Sequence, residues 1–250
     1  MQRIIELQIP SYGLLTVIGI IVAVFFVYCR NEHFGISTKQ LTVFTAIVLI
    51  GMAVGSRVVF VLSQIPLASR TKSWLWLWHS ITNGGFVFYG GLFGAISAVF
   101  LISRIKKKPA RHLLNYYVPA FPVFHIFGRI GCFFAGCCYG IPSSFGIVLP
   151  EVDAQPRLPV QLFESAYNLL IVTILLIYEY RCQKREKPYN LLTLYLFLYA
   201  PYRFIIEFFR GDVLRGTFGL LSTSQWISLI SLLAIAIIFV CKKVKCSELH

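Results

Sequence analysis

The sequence predicts an all-α integral membrane protein, a single transmembrane domain of seven helices with its N-terminus outside and its C-terminus in the cytoplasm. Three observations predict it. Hydrophobic residues make up 57% of the chain and charged residues only 13%, about half the charge of an ordinary soluble domain, and mean hydropathy is +0.74. Seven mostly apolar runs reach roughly the 20 residues that cross a hydrocarbon core: 12–29, 41–62, 84–102, 113–136, 160–180, 190–210 and 220–241. Basic residues also gather in every second connection.

The first run follows no basic n-region beyond Arg3 and precedes no small-residue cleavage site, so it is expected to be a retained helix rather than a signal peptide. Arg30 and Lys39 flank the first loop; Arg104, Lys106, Lys107, Lys108 and Arg111 fill the third; Arg181, Lys184, Arg185 and Lys187 fill the fifth; Lys242, Lys243 and Lys245 close the chain. Short Lys/Arg-rich loops stay in the cytoplasm. Helices 1, 3, 5 and 7 therefore run from outside to inside. The net charge of +13 is explained by these topology determinants and by contacts with anionic headgroups; no nucleic acid is expected as a partner. Trp74, Trp76 and Trp78 with His79 read as an interfacial aromatic belt. Residues 140–158, with Pro142, Pro150, Glu151, Asp153 and Pro156, form an outer loop placed to gate a site.

This topology gives each polar residue within a span a depth. Tyr12 opens helix 1; Arg57 comes late in helix 2; Asn83 and Tyr89 open helix 3; Arg129 comes late in helix 4; Gln161 and Glu164 come early in helix 5; Arg203, Glu207 and Arg210 come late in helix 6; Gln225 opens helix 7. Every helix thus places its costly groups in the outer half. A charge at mid-bilayer costs about 2.5–3.5 kcal/mol on insertion scales and faces a partner or a wet cavity. One reading is that Arg57, Arg129 and Arg203 pair with Glu164 and Glu207 to lock the bundle. The other starts from the surplus of arginine over glutamate, which an anionic phospholipid headgroup would balance. The planar guanidinium fork suits phosphate.

Spacing supports a built site. His125, Arg129 and Cys132 share one helical face, as do Gln161, Glu164 and Asn168, and again Arg203, Glu207 and Arg210. His125 reads as a hydrogen-bonded core residue rather than a base. Asn83-Gly84-Gly85 and Gly90-Gly91 flank Tyr89, giving either close backbone approach to a ligand or tight helix packing. Cys29, Cys182, Cys241 and Cys246 lie at predicted inner ends, whereas Cys132, Cys137 and Cys138 cluster at an outer one. The outer three are either small apolar fillers, a disulfide pair, or a source of a nucleophilic thiolate beside Arg129. Metal binding together with His125 is a further alternative, but the C-x4-C-C spacing matches no zinc pattern, and neither metal nor other cofactor is expected.

At this point the residues resemble a known family. The run Asn83-Gly84-Gly85-Phe86-Val87-Phe88-Tyr89-Gly90-Gly91 is similar to the glycine-rich element of the prolipoprotein diacylglyceryl transferases. So are Gly128-Arg129-Ile130-Gly131 followed by Phe133, Gly136 and Gly140, the Pro159, Gln161 and Glu164 set, the stretch Tyr202 to Arg210, and Tyr12-Gly13-Leu14. The likeness spans nearly the whole chain in order. It implies a multi-pass enzyme of the bacterial cytoplasmic membrane with its site facing the outer leaflet. Such an enzyme moves the diacylglyceryl group of phosphatidylglycerol to the lipobox cysteine thiol of preprolipoproteins without metal or nucleotide. It also implies that Arg129 and Arg203 bind phosphate and stabilise the leaving group's charge. Tyr12, Gln161, Glu164, Tyr199 and Glu207 would shape the pocket, with Arg57, Asn83, Gly90, Gly91, Cys132 and Arg210 around the substrate. Tyr89, Arg129, Arg203, Glu207 and Cys137 are the expected catalytic set. Tyr89 stands where many members carry His; a neutral Tyr is a poor base at neutral pH. Where the family reads Asn-Phe-x-Asn-Gly-Glu, this chain has Cys132, Phe133, Phe134, Ala135, Gly136, Cys137. Leu158 and Val160 replace a His and a Ser. The alternatives are a divergent paralogue using the same phospholipid site for another transfer, and a non-catalytic lipid-binding or transport protein.

Overall fold

The helices present their apolar side chains outward, an inversion that only a lipid environment rewards, since soluble surfaces rarely carry apolar patches beyond a few hundred Å². The structure is a computed structural model that describes residues 11–31, 34–71, 75, 78, 88–149, 152–212, 217–218 and 221–247. On the helix that begins at Val160, Phe163, Leu169 and Leu170 are exposed, while Gln161, Glu164 and Asn168 are 1%, 3% and 0% exposed. The expected shared face of those three polar residues is therefore the inward one.

The helices are α1 (Ser11–Cys29), α2 (Thr38–Thr71), α3 (Phe88–Lys106), α4 (Ala110–Tyr117), α5 (Ala120–Phe134), α6 (Val160–Lys184), α7 (Leu191–Ile206) and α8 (Thr223–Ser247). Two short antiparallel pairs accompany them: β1 (Pro142–Val148) with β2 (Pro156–Arg157), and β3 (Thr217–Phe218) with β4 (Leu221–Ser222). Five stretches among the described residues are long and apolar enough to cross a bilayer: Tyr12–Cys29, Thr38–Leu62, Ala110–Phe134, Val160–Lys184 and Leu191–Phe209. The protein is a multi-pass membrane protein, and its membrane part is helical.

Several expectations change. The predicted fourth helix is two helices, α4 and α5, because Pro119 lacks an N–H and disfavours helical backbone at Val118. Helix α2 runs nine residues past its apolar run; at 34 residues it is about 51 Å long, well beyond the hydrocarbon thickness. The expected gating loop carries the β1–β2 pair, whose alternation is too short to stand out in the sequence. Gln225 is a cap rather than a site residue: Ser222 N–H donates to Gln225 Oε1 (2.9 Å) and Gln225 N–H to Ser222 Oγ (3.2 Å), a capping box opening α8. Buried charge is not confined to the predicted outer ends. Arg30 and Glu179 are also buried, with Arg30 Nη2 donating to Asn115 O (3.2 Å) and Tyr189 Oη donating to Glu179 Oε1 (3.3 Å). Trp78 is exposed; Trp74, Trp76 and His79 of the expected belt lie outside the described residues, as does Asn83.

The chain forms two compact units, Met1–Phe26 with Tyr117–His250, and Val27–Tyr116. In the second, α2 crosses α3 backbone to backbone. A Cβ added at Gly90 would strike Gly55 O, and one at Gly94 would strike Gly51 O. Gly90 is thus committed to the crossing, and Gly91, against Met52, extends it. Such close approach through small residues is how membrane helices pack. Arg57 lies on α2 one residue after buried Ser56, in this unit.

In the first unit α1 lies on α5, where a Cβ at Gly131 would come within 3.3 Å of the Tyr12 ring. Helix α6 packs between α5 and α7, and α7 against α8. Asn190 caps α7 by accepting from Thr193 N–H (3.2 Å). Pro201 interrupts its hydrogen-bond ladder, and the Tyr167 hydroxyl donates to the nearby Leu198 carbonyl (3.0 Å).

Candidate functional site

Three helical faces of the first unit converge on one ionic chain. Glu164 of α6 is its centre: one carboxylate oxygen pairs with Arg129 Nε of α5, and the other accepts from Arg203 Nη1 of α7 at 3.2 Å. Arg203 Nη1 also meets Glu207 Oε2 at 2.7 Å, and its Nη2 donates to Ser224 Oγ at 3.0 Å. Arg210 Nη1 lies 3.6 Å from Glu207 Oε2, and its Nε and Nη2 clasp Asp212 at 3.0 and 2.8 Å. The order Arg129–Glu164–Arg203–Glu207–Arg210–Asp212 alternates in sign along its whole length.

Helical spacing does not reveal Asp212; within this network Arg129, Arg203 and Arg210 meet Glu164, Glu207 and Asp212, whereas Arg57, counted in the expected surplus, lies in the other unit. The partners differ in what they leave over. Arg203 is enclosed, 4% exposed, with both terminal nitrogens engaged. Arg129 is tied through Nε alone; among the described residues its Nη1 and Nη2 take no hydrogen-bond partner. Arg129 is therefore an oriented guanidinium with its fork unspent.

The polar lining around this network is incompletely satisfied. Gln161 Nε2 donates to Cys137 O at 2.7 Å, leaving Oε1 buried without a partner, and Asn168 Nδ2 donates to Glu164 O at 2.7 Å, leaving Oδ1 likewise. Tyr202 stacks on Tyr167 with 3.8 Å between centroids, its hydroxyl buried and unbonded. Such groups in a native interior mark a missing partner. Tyr199 stacks on Tyr195 at 5.5 Å and tilts against His125 at 5.6 Å; His125 is a buried residue. Tyr202 and Ser224 complete the site on signals too common in membrane helices to single out.

The three outer cysteines come together. Helix α5 ends in a Schellman turn: Cys137 N–H donates to Cys132 O (3.1 Å) and Gly136 N–H to Phe133 O (3.2 Å), with Gly136 at φ +62°. That turn brings residues 132 and 137 side by side, and Cys138, itself left-handed at φ +58°, adds its thiol. All three sulfurs lie within 4.8 Å of one another. Cys138 is held below the usual thiol range by hydrogen bonds from Cys132 and Cys137 and by the positive field of Arg129 and Arg210. Cys137 is shifted up: the hydrogen bond with Cys132 lowers it, but that with Cys138 and burial outweigh it. The next residues are pinned from both sides, Ile141 N–H to Phe209 O (2.9 Å), Gly211 N–H to Tyr139 O (2.9 Å) and Gly140 N–H to Leu158 O (3.0 Å).

The expected site thus divides by unit. Tyr12, Arg129, Cys132, Cys137, Gln161, Glu164, Tyr199, Arg203, Glu207 and Arg210 belong to the first, whereas Arg57, Tyr89, Gly90 and Gly91 belong to the second. The side chain of Tyr89 lies outside the described residues.

A multi-pass helical membrane protein with an intramembrane Arg–Glu network belongs to the class of membrane proteins that carry a polar functional site within the bilayer. The comparison with known proteins is more specific. The model of the family described as prolipoprotein diacylglyceryl transferase matches residues 1–241, and the chain belongs to that family. It is similar to proteins named phosphatidylglycerol–prolipoprotein diacylglyceryl transferase in Clostridium tetani, 31% identical over 91% of this chain and 90% of that one, and in Rickettsia felis, 35% identical over 82% and 80%. A third, named as the second such enzyme of Clostridium perfringens, is 31% identical over 97% of this chain and 94% of its own length.

Proposed function

We propose that this protein transfers the diacylglyceryl group of phosphatidylglycerol, or of a similar anionic phospholipid, to the lipobox cysteine thiol of preprolipoproteins. In that reaction the acceptor thiolate attacks the glyceryl carbon bound to phosphate. A C–S bond forms, the C–O bond breaks, and glycerol phosphate leaves with the electron pair. The chemistry asks the protein to hold a phosphate diester and to stabilise the dianion that develops as it departs.

The observation that carries the reading is Arg129, fixed by Glu164 through Nε with its terminal nitrogens free of hydrogen bonds among the described residues, the geometry for two parallel hydrogen bonds to phosphate oxygens. Arg210, shared with Asp212, is the second phosphate partner. Arg203 is a positioning residue that fixes Glu164 and Glu207. Gln161, Tyr12 and Tyr199 line the pocket, and the family resemblance also gives Arg57, Asn83 and Tyr89 a part in the reaction. A covalent intermediate on Cys137 is unproductive, because a thioether sulfur would have to leave in the second step. The basic loops support seven spans with the N-terminus outside, the C-terminus inside and the site towards the outer leaflet.

The test is transfer from labelled phosphatidylglycerol to a lipobox peptide. Arg129→Lys, which keeps charge and loses the fork, is expected to lower turnover about 10²–10³-fold with the protein still folded. Near-normal turnover by this variant, or failure of the wild-type chain to complement a strain depleted of the transferase, overturns the reading.

A further inference from the structure

The transfer as proposed assigns no step to the three thiols at the end of α5, yet the backbone is bent to assemble them. Cys132 and Cys137 are the two residues that a Schellman turn places in contact. In most proteins that contact is apolar; here both members are thiols. Cys138 then takes a left-handed conformation, φ +58°, which costs a non-glycine residue on the order of 1–2 kcal/mol and which carries its thiol to the same point. The segment is fixed on both sides of the turn, since Gln161 holds the Cys137 carbonyl at 2.7 Å and Tyr139 O accepts from Gly211 N–H at 2.9 Å. The sulfurs thus sit on a braced scaffold, within 4.8 Å of one another. Thiolates on one zinc ion, at about 2.3 Å each, stand about 3.8 Å apart, so binding asks for a contraction of no more than about 1 Å, within rotamer adjustment.

We propose that Cys132, Cys137 and Cys138 form a three-thiolate clasp for a single soft d10 metal ion, Zn(II) or Cu(I). Three sulfurs with no carboxylate or imidazole among them select such ions over Mg(II), Ca(II) or Mn(II). Three thiolates around a divalent ion carry one net negative charge, around Cu(I) two, and Arg129 and Arg210 are near enough to favour negative charge there. The linear spacing C-x4-C-C gives no hint of this because the first two ligands are neighbours through a helix cap rather than through a knuckle or hairpin. The inference concerns metal content alone, so it stands or falls separately from the transferase reading.

The full-length protein, purified in detergent under oxygen-free reducing conditions, would be titrated with Zn(II) and, separately, with Cu(I), and assayed for retained metal and for thiols protected from alkylation. One equivalent per chain and protection of three thiols by either ion is the expected result. Cys137→Ser is expected to weaken retention at least about 100-fold. Cys138→Gly should do the same; it removes a ligand and relieves the left-handed strain, so loss of metal there cannot be attributed to misfolding. Cys29→Ser and Cys182→Ser should retain the full equivalent. The proposal is overturned if neither ion is held more tightly by the wild type than by the triple variant Cys132→Ala, Cys137→Ser, Cys138→Gly, or if Cys138→Gly binds like wild type.

Discussion

The crossing of α2 with α3 and the convergence of α5, α6 and α7 solve the same problem in opposite ways. Lipid offers helices no hydrophobic reason to associate, so they must gain from close packing or from polar contacts. The α2–α3 pair removes side chains: Gly51 and Gly55 meet Gly94 and Gly90 until backbone touches backbone. The α5–α7 cluster buries ions and joins them in alternating order. A glycine contact tolerates no addition; an ionic chain tolerates no deletion. The two regions should therefore fail differently under mutation.

Glu164→Ala gives the largest expected effect. It strands Arg129 and Arg203 together without their shared carboxylate, and breaking a buried pair from one side costs about 3–5 kcal/mol. We expect a clear fall in thermal midpoint in detergent, together with loss of transfer. A midpoint within a degree of wild type would show that the network does not hold α5, α6 and α7 together. Gly94→Val, in the other region, should cost about 1–3 kcal/mol by overpacking, because the atoms that a Cβ meets are Gly51 and Gly55 backbone and cannot rotate away. A second difference is expected between the two regions. Surviving folded Gly94→Val should keep its affinity for phosphatidylglycerol, whereas surviving Glu164→Ala should not; equal loss in both would erase the distinction.

The sequence discloses this contrast unevenly. Gln161, Glu164 and Asn168 are legible as a site because lipid penalises polar residues at helical spacing unless they share an inward face. Their partners are not legible. Spacing along one helix reveals a shared face, but whether Glu164 serves Arg129, Arg203 or both is decided by how helices pack. Asp212 escapes because it lies beyond the end of α7, where an acid usually faces water, and with it escapes its pairing with Arg210. Gly90 and Gly91 read equally as ligand cradle and helix contact, since either use needs a missing Cβ; at Gly90 the backbone of Gly55 on α2 takes up that space. Pro119 is a visible sign that the fourth apolar run is two helices; in lipid, however, proline often kinks a helix without ending it.

The smallest effect belongs to the strut that connects the β1–β2 pair to the cysteine turn. Arg157 donates from Nε to both Asp153 oxygens at 3.1 Å, lies over the Tyr139 ring at 4.7 Å, and reaches Gly140 O at 3.3 Å. It thereby ties the hairpin to the segment just after Cys138. The Arg157 guanidinium holds the Asp153 carboxyl below its ordinary range. A carboxyl whose folded pKa is depressed contributes stability above its unfolded pKa, about 3.9, and loses it as pH falls through the lower folded value. The hairpin should consequently be unchanged from pH 8 to about 5 and loosen only below about 4. Because Asp153 is 35% exposed, solvent screens the pair and its worth is small. Hydrogen exchange across residues 142–157 reads this directly: faster exchange at pH 3 than at pH 6, after correction for intrinsic rates, and the same acceleration at pH 6 in Asp153→Asn. Protection that ignores both changes would mean that the backbone ladder through Gly140, Leu158 and Ile141, and not the ion pair, carries the hairpin.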